Sequence, residues 1–215
     1  MGGSSGQFIR EPKQPLSDEQ ISGYLRDKLR DYNDRDTDAI NRHIRGLSDA
    51  LELTDDDVLP IRFGGSVSRH TYVDGMSDVD VLLMLDYSSL SGQAPKAVIQ
   101  KMAELIRQRM PRTKMWTGDL AVTVKYADGH EIQILPAIRT KAGVRIANPT
   151  RNQWSGVLHP ERFACKLTEI NQANRGQVIP AIKLTKALAH HLIRSGKDKI
   201  TGYHRSLAII LNLWL

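Results

Sequence analysis

FGGSVSRHTYVDGMSDVDVLLMLD, residues 63–86, is the stretch that decides the fold of this 215-residue chain. A Gly-Gly-Ser turn precedes an Asp-x-Asp pair, Asp78 and Asp80, which opens an apolar run. Side chains alternate between the two faces of a strand, so these two carboxylates leave the same face. The run VLLML at 81–85 is continuous and apolar, as expected of a strand that is buried on both faces. The pattern therefore predicts two carboxylates held rigidly beside each other.

The paired carboxylates predict a metal site. Carboxylates that converge and stay ionised repel each other, and hard cations such as Mg²⁺ or Mn²⁺ relieve that repulsion, so Asp78 and Asp80 are predicted metal ligands. Two such ions, roughly 3.5–4 Å apart, can clamp the attacking and leaving oxygens of a phosphoryl transfer. The preceding turn adds phosphate contacts, because Gly64 and Gly65 carry no Cβ while Ser66 and the neighbouring N–H groups can donate hydrogen bonds.

These motifs resemble those of the DNA polymerase β-like nucleotidyltransferases, in which Gly-Ser is followed, after a spacer, by Asp-x-Asp. The form Gly65-Ser66-x-x-Arg69-x-Thr71, followed by Ser-Asp-Val-Asp at 77–80, is most similar to the cGAS/DncV-like nucleotidyltransferases (CD-NTases, SMODS-type) of bacterial anti-phage defence. The resemblance covers most of residues 62–215. Later segments that follow in the family's order are LAVTVKY (120–126), LPA (135–137), NP (148–149), Trp154 and GQVIPAIKLTK (176–186).

The resemblance implies an α+β fold, with a polymerase β-like mixed sheet flanked by helices and a helical C-terminal lobe that is short or truncated. The nucleotidyltransferase catalytic lobe is predicted at residues 17–155 and the helical lobe at 156–215. The small, polar start of the chain, MGGSSG, predicts a flexible tail or expression-vector remnant at residues 1–16. The implied cofactor is Mg²⁺ or Mn²⁺, held by Asp78 and Asp80. The nucleotide-binding residues that it implies are Gly65, Ser66, Arg69, Thr71, Lys183 and Lys186.

The activity implied by the resemblance is the joining of NTPs or dNTPs with release of pyrophosphate. The product would be a cyclic or linear oligonucleotide signal that switches on a defence effector protein. Two alternatives remain open. A polymerase-like or toxin–antitoxin enzyme would extend a nucleic acid or a protein hydroxyl, and a nucleotide-binding regulator would make no product. Arg139, Arg145 and Arg151 could contact nucleic acid, although scattered arginines are weak support for it.

One position departs from the family pattern. Family members place a third carboxylate, which completes the metal site and can act as base, three residues before the Pro of a Val-Pro-Ala-like segment, and here that position is Gln133. An amide cannot take a proton at neutral pH and binds a cation more weakly than a carboxylate does. Glu131 shares a strand face with Gln133 and could substitute, although its Cα lies roughly 6–7 Å away along the strand.

Three interpretations of Gln133 remain open. The enzyme works with two carboxylates and a base supplied by the substrate or by Glu131; it binds nucleotide without turnover; or Gln133 is an engineered inactivation. The first is favoured, because Gly65, Ser66, Asp78 and Asp80 are all intact.

Charge is distributed unevenly along the chain. Residues 139–215 carry 13 Lys and Arg against 3 Asp and Glu, whereas residues 1–138 carry 17 against 21. A basic helical lobe that faces an acidic metal centre suits a polyphosphate lying between them. Lys183 and Lys186 are three residues apart and therefore share one face of a predicted helix.

Composition predicts a cytoplasmic protein with a substantial core. The chain is 40% apolar and has no apolar run long enough to span a membrane and no secretory signal. Its single cysteine, Cys165, cannot form an internal disulfide, which favours a reducing compartment. The seven histidines show no zinc-ligand spacing along the sequence. The apolar end ILNLWL (210–215) could expose a stripe that meets a partner.

Local patterns predict the remaining elements. Ser17 and then Asp36 or Thr37 are predicted to cap two helices, and an amphipathic helix is predicted to end before Pro111. Residues 120–126 alternate as a strand, and Ala-Asp-Gly at 127–129 predicts a hairpin to the strand of Gln133. Further helices are predicted near residues 161–174, 178–194 and from about 203.

Overall fold

The structure, a computed structural model, describes residues 17–34, 36–51, 61–74, 76–85, 90 and 92–194. The predicted tail at 1–16 and the predicted helix from about residue 203 lie outside the described residues. The described helices are α1 (Asp18–Asn33), α2 (Thr37–Ala50), α3 (Gly65–Ser68), α4 (Pro95–Arg109), α5 (Pro160–Ala173) and α6 (Val178–Arg194). The described strands are β1 (Arg62–Phe63), β2 (Val79–Met84), β3 (Lys114–Thr117), β4 (Val122–Lys125), β5 (Glu131–Thr140) and β6 (Gly143–Ile146).

The strands form one mixed sheet in the order β1-β2-β5-β4-β3, and β6 pairs with the far end of β5. Strands β2 and β5 run parallel, whereas the other pairs are antiparallel. The β2–β5 register places Asp80 opposite Gln133. A mixed sheet flanked by helices confirms the predicted α+β class.

Strand β2 is buried on both faces, as its apolar run predicts. Val81 and Leu83 belong to the main core, to which α2 and α4 also contribute. Leu82 and Met84 lie in a second cluster on the other face. Apolar burial stabilises by roughly 25 cal/mol per Å². The strand that carries Asp80 is therefore firmly anchored.

Helices α2 and α4 pack on the main core. The Asp36 side chain caps α2 by accepting a hydrogen bond from the Ala39 N–H at 2.8 Å. Of the two predicted cap residues for this helix, Asp36 is therefore the cap, and Thr37 is the first helical residue. Helix α4 starts with Pro95, whose missing N–H costs nothing in a first turn, and ends before Pro111 as predicted. Their core-facing residues include Ile40, Leu47, Leu51, Val98, Met102 and Ile106.

The helices at the two ends of the described chain meet each other. Helix α1 starts at a Ser17 capping box, as predicted, and has no buried residue. Helix α6 contacts both α1 and α5. Leu167, Val178 and Ile182 form a separate small core between α5 and α6. None of the helices in the described residues is both long and apolar enough to cross a membrane.

Strands β3 and β6 are absent from the sequence-based predictions. Strand β3 is an edge strand whose residues are mostly exposed, and β6 is short and half-buried throughout. Neither has the alternating apolar pattern that identifies a strand from sequence. Their pairing with β4 and β5 is what orders them.

Candidate active site

Three predicted side chains meet where β2 and β5 begin. Asp78 directly precedes β2, Asp80 is its second residue, and Gln133 lies opposite Asp80 on β5. The Gln133 Nε2 donates a hydrogen bond to Asp78 Oδ2 at 2.6 Å. The amide at the third-acid position therefore contacts the carboxylate pair directly.

The surroundings of the Asp78 carboxyl disfavour its ionised form. Burial raises its pKa, and the neighbouring charges on Glu131 and Asp80 raise the pKa further. The hydrogen bond from Gln133 and the charge on Lys125 act in the opposite direction without cancelling the rise. An ionised Asp78 thus lacks sufficient compensation from the protein, which is the condition that a bound cation relieves.

At Asp80, too, the loss of hydration on burial destabilises the ionised carboxylate more than neighbouring groups stabilise it. Burial raises the pKa of Asp80, although the charges on Arg69 and Lys186 and the backbone N–H of Ser66 favour the ionised form. Two part-buried carboxylates side by side form an all-oxygen donor set, and such donors suit Mg²⁺ or Mn²⁺. The residues present therefore fit a divalent metal.

The N-cap and first residues of the short helix α3 wrap around Asp80. The Gly64 N–H donates to the Asp80 backbone oxygen at 2.8 Å. Gly65 has φ +47°, and a Cβ built on it would lie 1.6 Å from Asp80 Oδ2. Ser66 is buried, and its backbone oxygen accepts from the Thr71 N–H at 2.9 Å. Gly65 is thus required both by its left-handed backbone and by the close approach of the carboxylate.

Lys186 approaches the same turn from α6. Its Nζ donates to the Thr71 backbone oxygen at 2.9 Å. Burial lowers the pKa of Lys186 to about 8, with a further lowering by the charges of Arg69 and Lys183 and an opposing effect of Asp80. A part-buried ammonium among other cations favours an anionic ligand.

The remaining predicted phosphate contacts divide into two groups. Arg69 donates from Nε to the Gly65 oxygen at 2.7 Å, and its guanidinium lies 5.4 Å from the ring centre of Phe163 on α5. Lys183, in contrast, is hydrogen-bonded to the side chain of Asn33 on α1. The structure therefore brings Arg69 to the Asp80 side of the site, whereas Lys183 is engaged with α1.

A family model described as the Second Messenger Oligonucleotide or Dinucleotide Synthetase domain (SMODS) matches residues 20–171, the greater part of the chain. The chain belongs to the SMODS family. The resemblance inferred from the Gly-Ser and Asp-x-Asp motifs is thereby confirmed. The family's description also supports the nucleotidyltransferase class.

Solved structures with this fold include two CdnE enzymes. The Elizabethkingia meningoseptica CdnE cyclic dinucleotide synthase with GTP and Apcpp matches with TM-score 0.62 and 17% identity, over 79% of this chain and 67% of that chain. The Rhodothermus marinus CdnE c-UMP-AMP synthase with Apcpp and Upnpp matches with TM-score 0.62 and 16% identity, over 91% of this chain and 75% of that chain.

Escherichia coli MS115-1 CdnC with ATP has the same fold, at TM-score 0.61 and 16% identity, over 89% of this chain and 64% of that chain. At such identities the likeness establishes the fold alone. No curated protein matches the chain significantly.

Glu131 of this SMODS chain lies beside Asp78 in an open cleft of about 320 Å³. It forms an ion pair with Lys125, its register partner on β4. The offset of two residues that separates Glu131 from Gln133 along β5 is the same offset that separates Asp78 from Asp80. Glu131 is therefore next to Asp78 rather than displaced from the centre.

Sequence reasoning missed several residues of this cleft. Tyr72, Lys125, His130 and His190 line it together with Asp78. No local pattern identifies Tyr72, His130 or His190 as lining this cleft. Lys125 alone had a signal, since it faces Glu131 across the predicted hairpin.

The three arginines that were considered as nucleic-acid contacts differ in their exposure. Arg145 is half-buried and donates to the backbone oxygens of Ser155 and Trp154 at 2.7 and 3.3 Å. This arginine holds the segment after β6 in place. Arg139 and Arg151 are exposed.

Gly65→Ala is expected to lower the free energy of unfolding by about 2 kcal/mol or more, because a left-handed backbone costs a residue with a Cβ roughly 1–2 kcal/mol and the methyl group also displaces Asp80. Urea unfolding followed by circular dichroism measures it. Gly46→Ala, in α2 with open space around it, is the matched control and should stabilise by about 0.5–1 kcal/mol. Equal midpoints for Gly65→Ala and the unmodified chain would contradict the expected close approach.

Proposed function

We propose that this chain is a metal-dependent nucleotidyltransferase that joins nucleoside triphosphates, or their deoxy forms, and releases pyrophosphate. Its product would be a cyclic or linear oligonucleotide signal in anti-phage defence. The observation that carries the proposal is the meeting of Asp78, Asp80, the Gly65-Ser66 turn and Lys186 in one site. The family match supports the second-messenger product.

Each part of the site has a role in this reaction. Asp78 and Asp80 would hold Mg²⁺ or Mn²⁺, which neutralises phosphate charge when bound. The turn at Gly65 and Ser66 would donate hydrogen bonds to the phosphates, with Arg69 and Thr71 extending the donor surface. A substrate hydroxyl attacks the α-phosphorus, a phosphodiester bond forms, and the bond to the leaving pyrophosphate breaks.

The proton of the attacking hydroxyl needs an acceptor. Gln133 cannot accept it, because its side chain is a neutral amide. Glu131 borders the same cleft as Asp78 and forms an ion pair with Lys125. We therefore assign the base to Glu131 or to the substrate itself, and Gln133 to holding Asp78 through the 2.6 Å hydrogen bond.

The remaining assignments are also proposals. We propose a catalytic lobe at residues 17–155 and a helical lobe at 156–215, with the nucleotide between them; residues 195–215 lie outside the described part of the chain. Nucleoside triphosphates are proposed substrates because the CdnE structures contain GTP and triphosphate analogues. A protein partner is proposed because an Escherichia coli CdnC of the same fold was solved in complex with HORMA-deltaN. The free, exposed Cys165 favours a reducing cytoplasm.

A product assay tests the proposal. The purified chain is incubated with each labelled ribo- and deoxyribonucleoside triphosphate, singly and mixed, with Mg²⁺ or Mn²⁺. Products are then separated into small oligonucleotides, long polymers and labelled protein. Label in small oligonucleotides supports the proposal, whereas label in polymer or protein identifies the polymerase-like or toxin-like alternative.

A nucleotide-binding regulator is the second candidate, and Gln133 at the third-acid position is the observation that favours it. Such a protein would bind nucleotide together with metal and would release no pyrophosphate. Binding without label in any fraction, with and without nucleic acid as activator, would select this function over the enzyme.

The affinity for a triphosphate is expected to fall as pH rises above about 8, the pKa of Lys186 in the free chain. A bound polyphosphate favours the charged ammonium, so binding takes up a proton and is strongest below that pKa. Calorimetric titration with a non-hydrolysable ATP analogue and Mg²⁺ from pH 7 to 10 measures this slope. Lys186→Arg stays charged throughout and should flatten it, and identical slopes in both proteins would refute the role of Lys186.

A further inference from the structure

Two histidines and an aspartate meet at one edge of the active-site cleft. His43 comes from α2, whereas Asp128 and His130 come from the turn between β4 and β5. His43 Nε2 lies 2.6 Å from Asp128 Oδ2, and His130 Nδ1 lies 3.1 Å from Asp128 Oδ1. One ligand atom of each residue lies within 4.8 Å of the other two. We call these three residues the His–Asp–His cluster.

Hydrogen bonding inside the cluster is incomplete. His130 Nδ1 is buried and, among the described residues, has no hydrogen-bond partner, although Asp128 Oδ1 is near it. Buried polar atoms are nearly always paired, so an unpaired ring nitrogen needs an explanation. A ligand that accepts the lone pair of this nitrogen would supply it.

We propose that the His–Asp–His cluster binds one divalent transition-metal ion, with Zn²⁺ as the best fit. Two imidazole nitrogens and one carboxylate oxygen are ligands that Zn²⁺ takes at about 2.0–2.2 Å, whereas Mg²⁺ prefers oxygen ligands alone. Tetrahedral bonds of that length hold ligand atoms roughly 3.3 Å apart. The side chains already stand close to this spacing and need shifts of roughly 1 Å.

The surroundings hold the ligands ready. Tyr126 stacks on the His43 ring with centroids 3.6 Å apart, and its hydroxyl donates to the His43 backbone oxygen at 3.3 Å. The Asp128 carboxylate is hydrogen-bonded to His43 Nε2 and accepts a second hydrogen bond from the His130 backbone N–H at 3.2 Å. Such support fixes ring orientation around a metal. Three protein ligands leave one tetrahedral position for water.

The ion would fasten α2 to the β4–β5 turn. That turn leads directly into β5, which carries Glu131 and Gln133. The cluster is therefore a positioning site for the strand, distinct from the Asp78 and Asp80 pair. Its test requires no turnover and is independent of the proposed nucleotidyltransferase activity.

Metal binding tests the cluster directly. All variants carry Asp78→Asn and Asp80→Asn, which remove the other carboxylate site, and are stripped with chelator before dialysis against Zn²⁺ with excess Mg²⁺. The protein that carries only these two substitutions is the parent in this experiment. It should retain one Zn²⁺, measured by elemental mass spectrometry. His43→Ala, His130→Ala and Asp128→Asn should each weaken Zn²⁺ binding at least about tenfold. His191→Ala, at an exposed position of α6, is the matched control and should bind like the parent.

Thermal unfolding gives a second readout that does not depend on each variant being equally stable. Zn²⁺ should raise the melting temperature of the parent and of His191→Ala, and should leave that of Asp128→Asn unchanged. Asp128 is a turn residue, and Asn preserves its shape and a hydrogen-bond acceptor. The proposal would be overturned if the parent retained no Zn²⁺, or if Asp128→Asn bound Zn²⁺ as tightly as the parent. The three residues would then only join α2 to the β4–β5 turn by hydrogen bonds.

Discussion

Replacing Asp78 and Asp80 together by Asn is expected to lower label incorporation by about 10³-fold or more, the scale of losing a preorganised charge at a reacting centre. Both carboxylates lie at the start of the buried strand β2, and Asn offers only neutral ligands to a hard cation. Initial rates with the preferred triphosphate and Mg²⁺ measure the effect.

Loss of activity in this variant should not come from unfolding. Both carboxyls have folded-state pKa values above the ordinary 3.8, so their contribution to stability is present below that value and is lost as pH rises through the raised pKa. At neutral pH they destabilise the metal-free chain. The double Asn variant should therefore melt at the same temperature or higher without metal, and should gain less from added Mg²⁺.

Asp119→Asn is the matched control, because Asp119 is exposed in the loop between β3 and β4. It should retain the full rate. A double variant that still incorporates label at more than a few per cent of the parent rate would place the chemistry elsewhere. A double variant that melts far below the parent would instead show that the two carboxylates support the fold.

Much of the centre can be predicted from sequence because its signals are local. The alternation of Asp78 and Asp80 and the apolar run after them identify β2 without knowledge of its neighbours. The hairpin turn at 127–129 likewise predicts that β5 follows β4. The turn at Gly65 is predictable as a turn. What the sequence does not reveal is that the missing Cβ of Gly65 makes room for the carboxylate of Asp80.

The unpredicted parts depend on residues far apart in the chain. His43 and Asp128 are 85 positions apart, so their meeting has no spacing signature and the sequence did not predict the cluster. Lys186 reaches Thr71 across 115 positions, and only the family resemblance assigned it to the site. Contacts of this kind are set by packing, which one sequence alone does not specify.

Gln133→Asp is expected to raise the rate of product formation by about 10²-fold, the usual contribution of a well-placed general base. The register sets residue 133 opposite Asp80, so a shorter carboxylate there still faces the metal site. It replaces the amide that donates to Asp78 with a third negative charge. The metal-free variant should consequently be less stable than the parent, and added Mg²⁺ should recover more stability in it.

Gln133→Asn separates charge from side-chain length, since it has the shape of Asp and the chemistry of Gln. It should not raise the rate. If Gln133→Asp does raise it and Glu131→Gln then has little effect in that background, the new carboxylate has taken over the base from Glu131. If Gln133→Asp binds triphosphate and metal yet forms no product, the active-enzyme interpretation fails, because a complete set of three carboxylates beside an intact Gly65-Ser66 turn would still be unable to react.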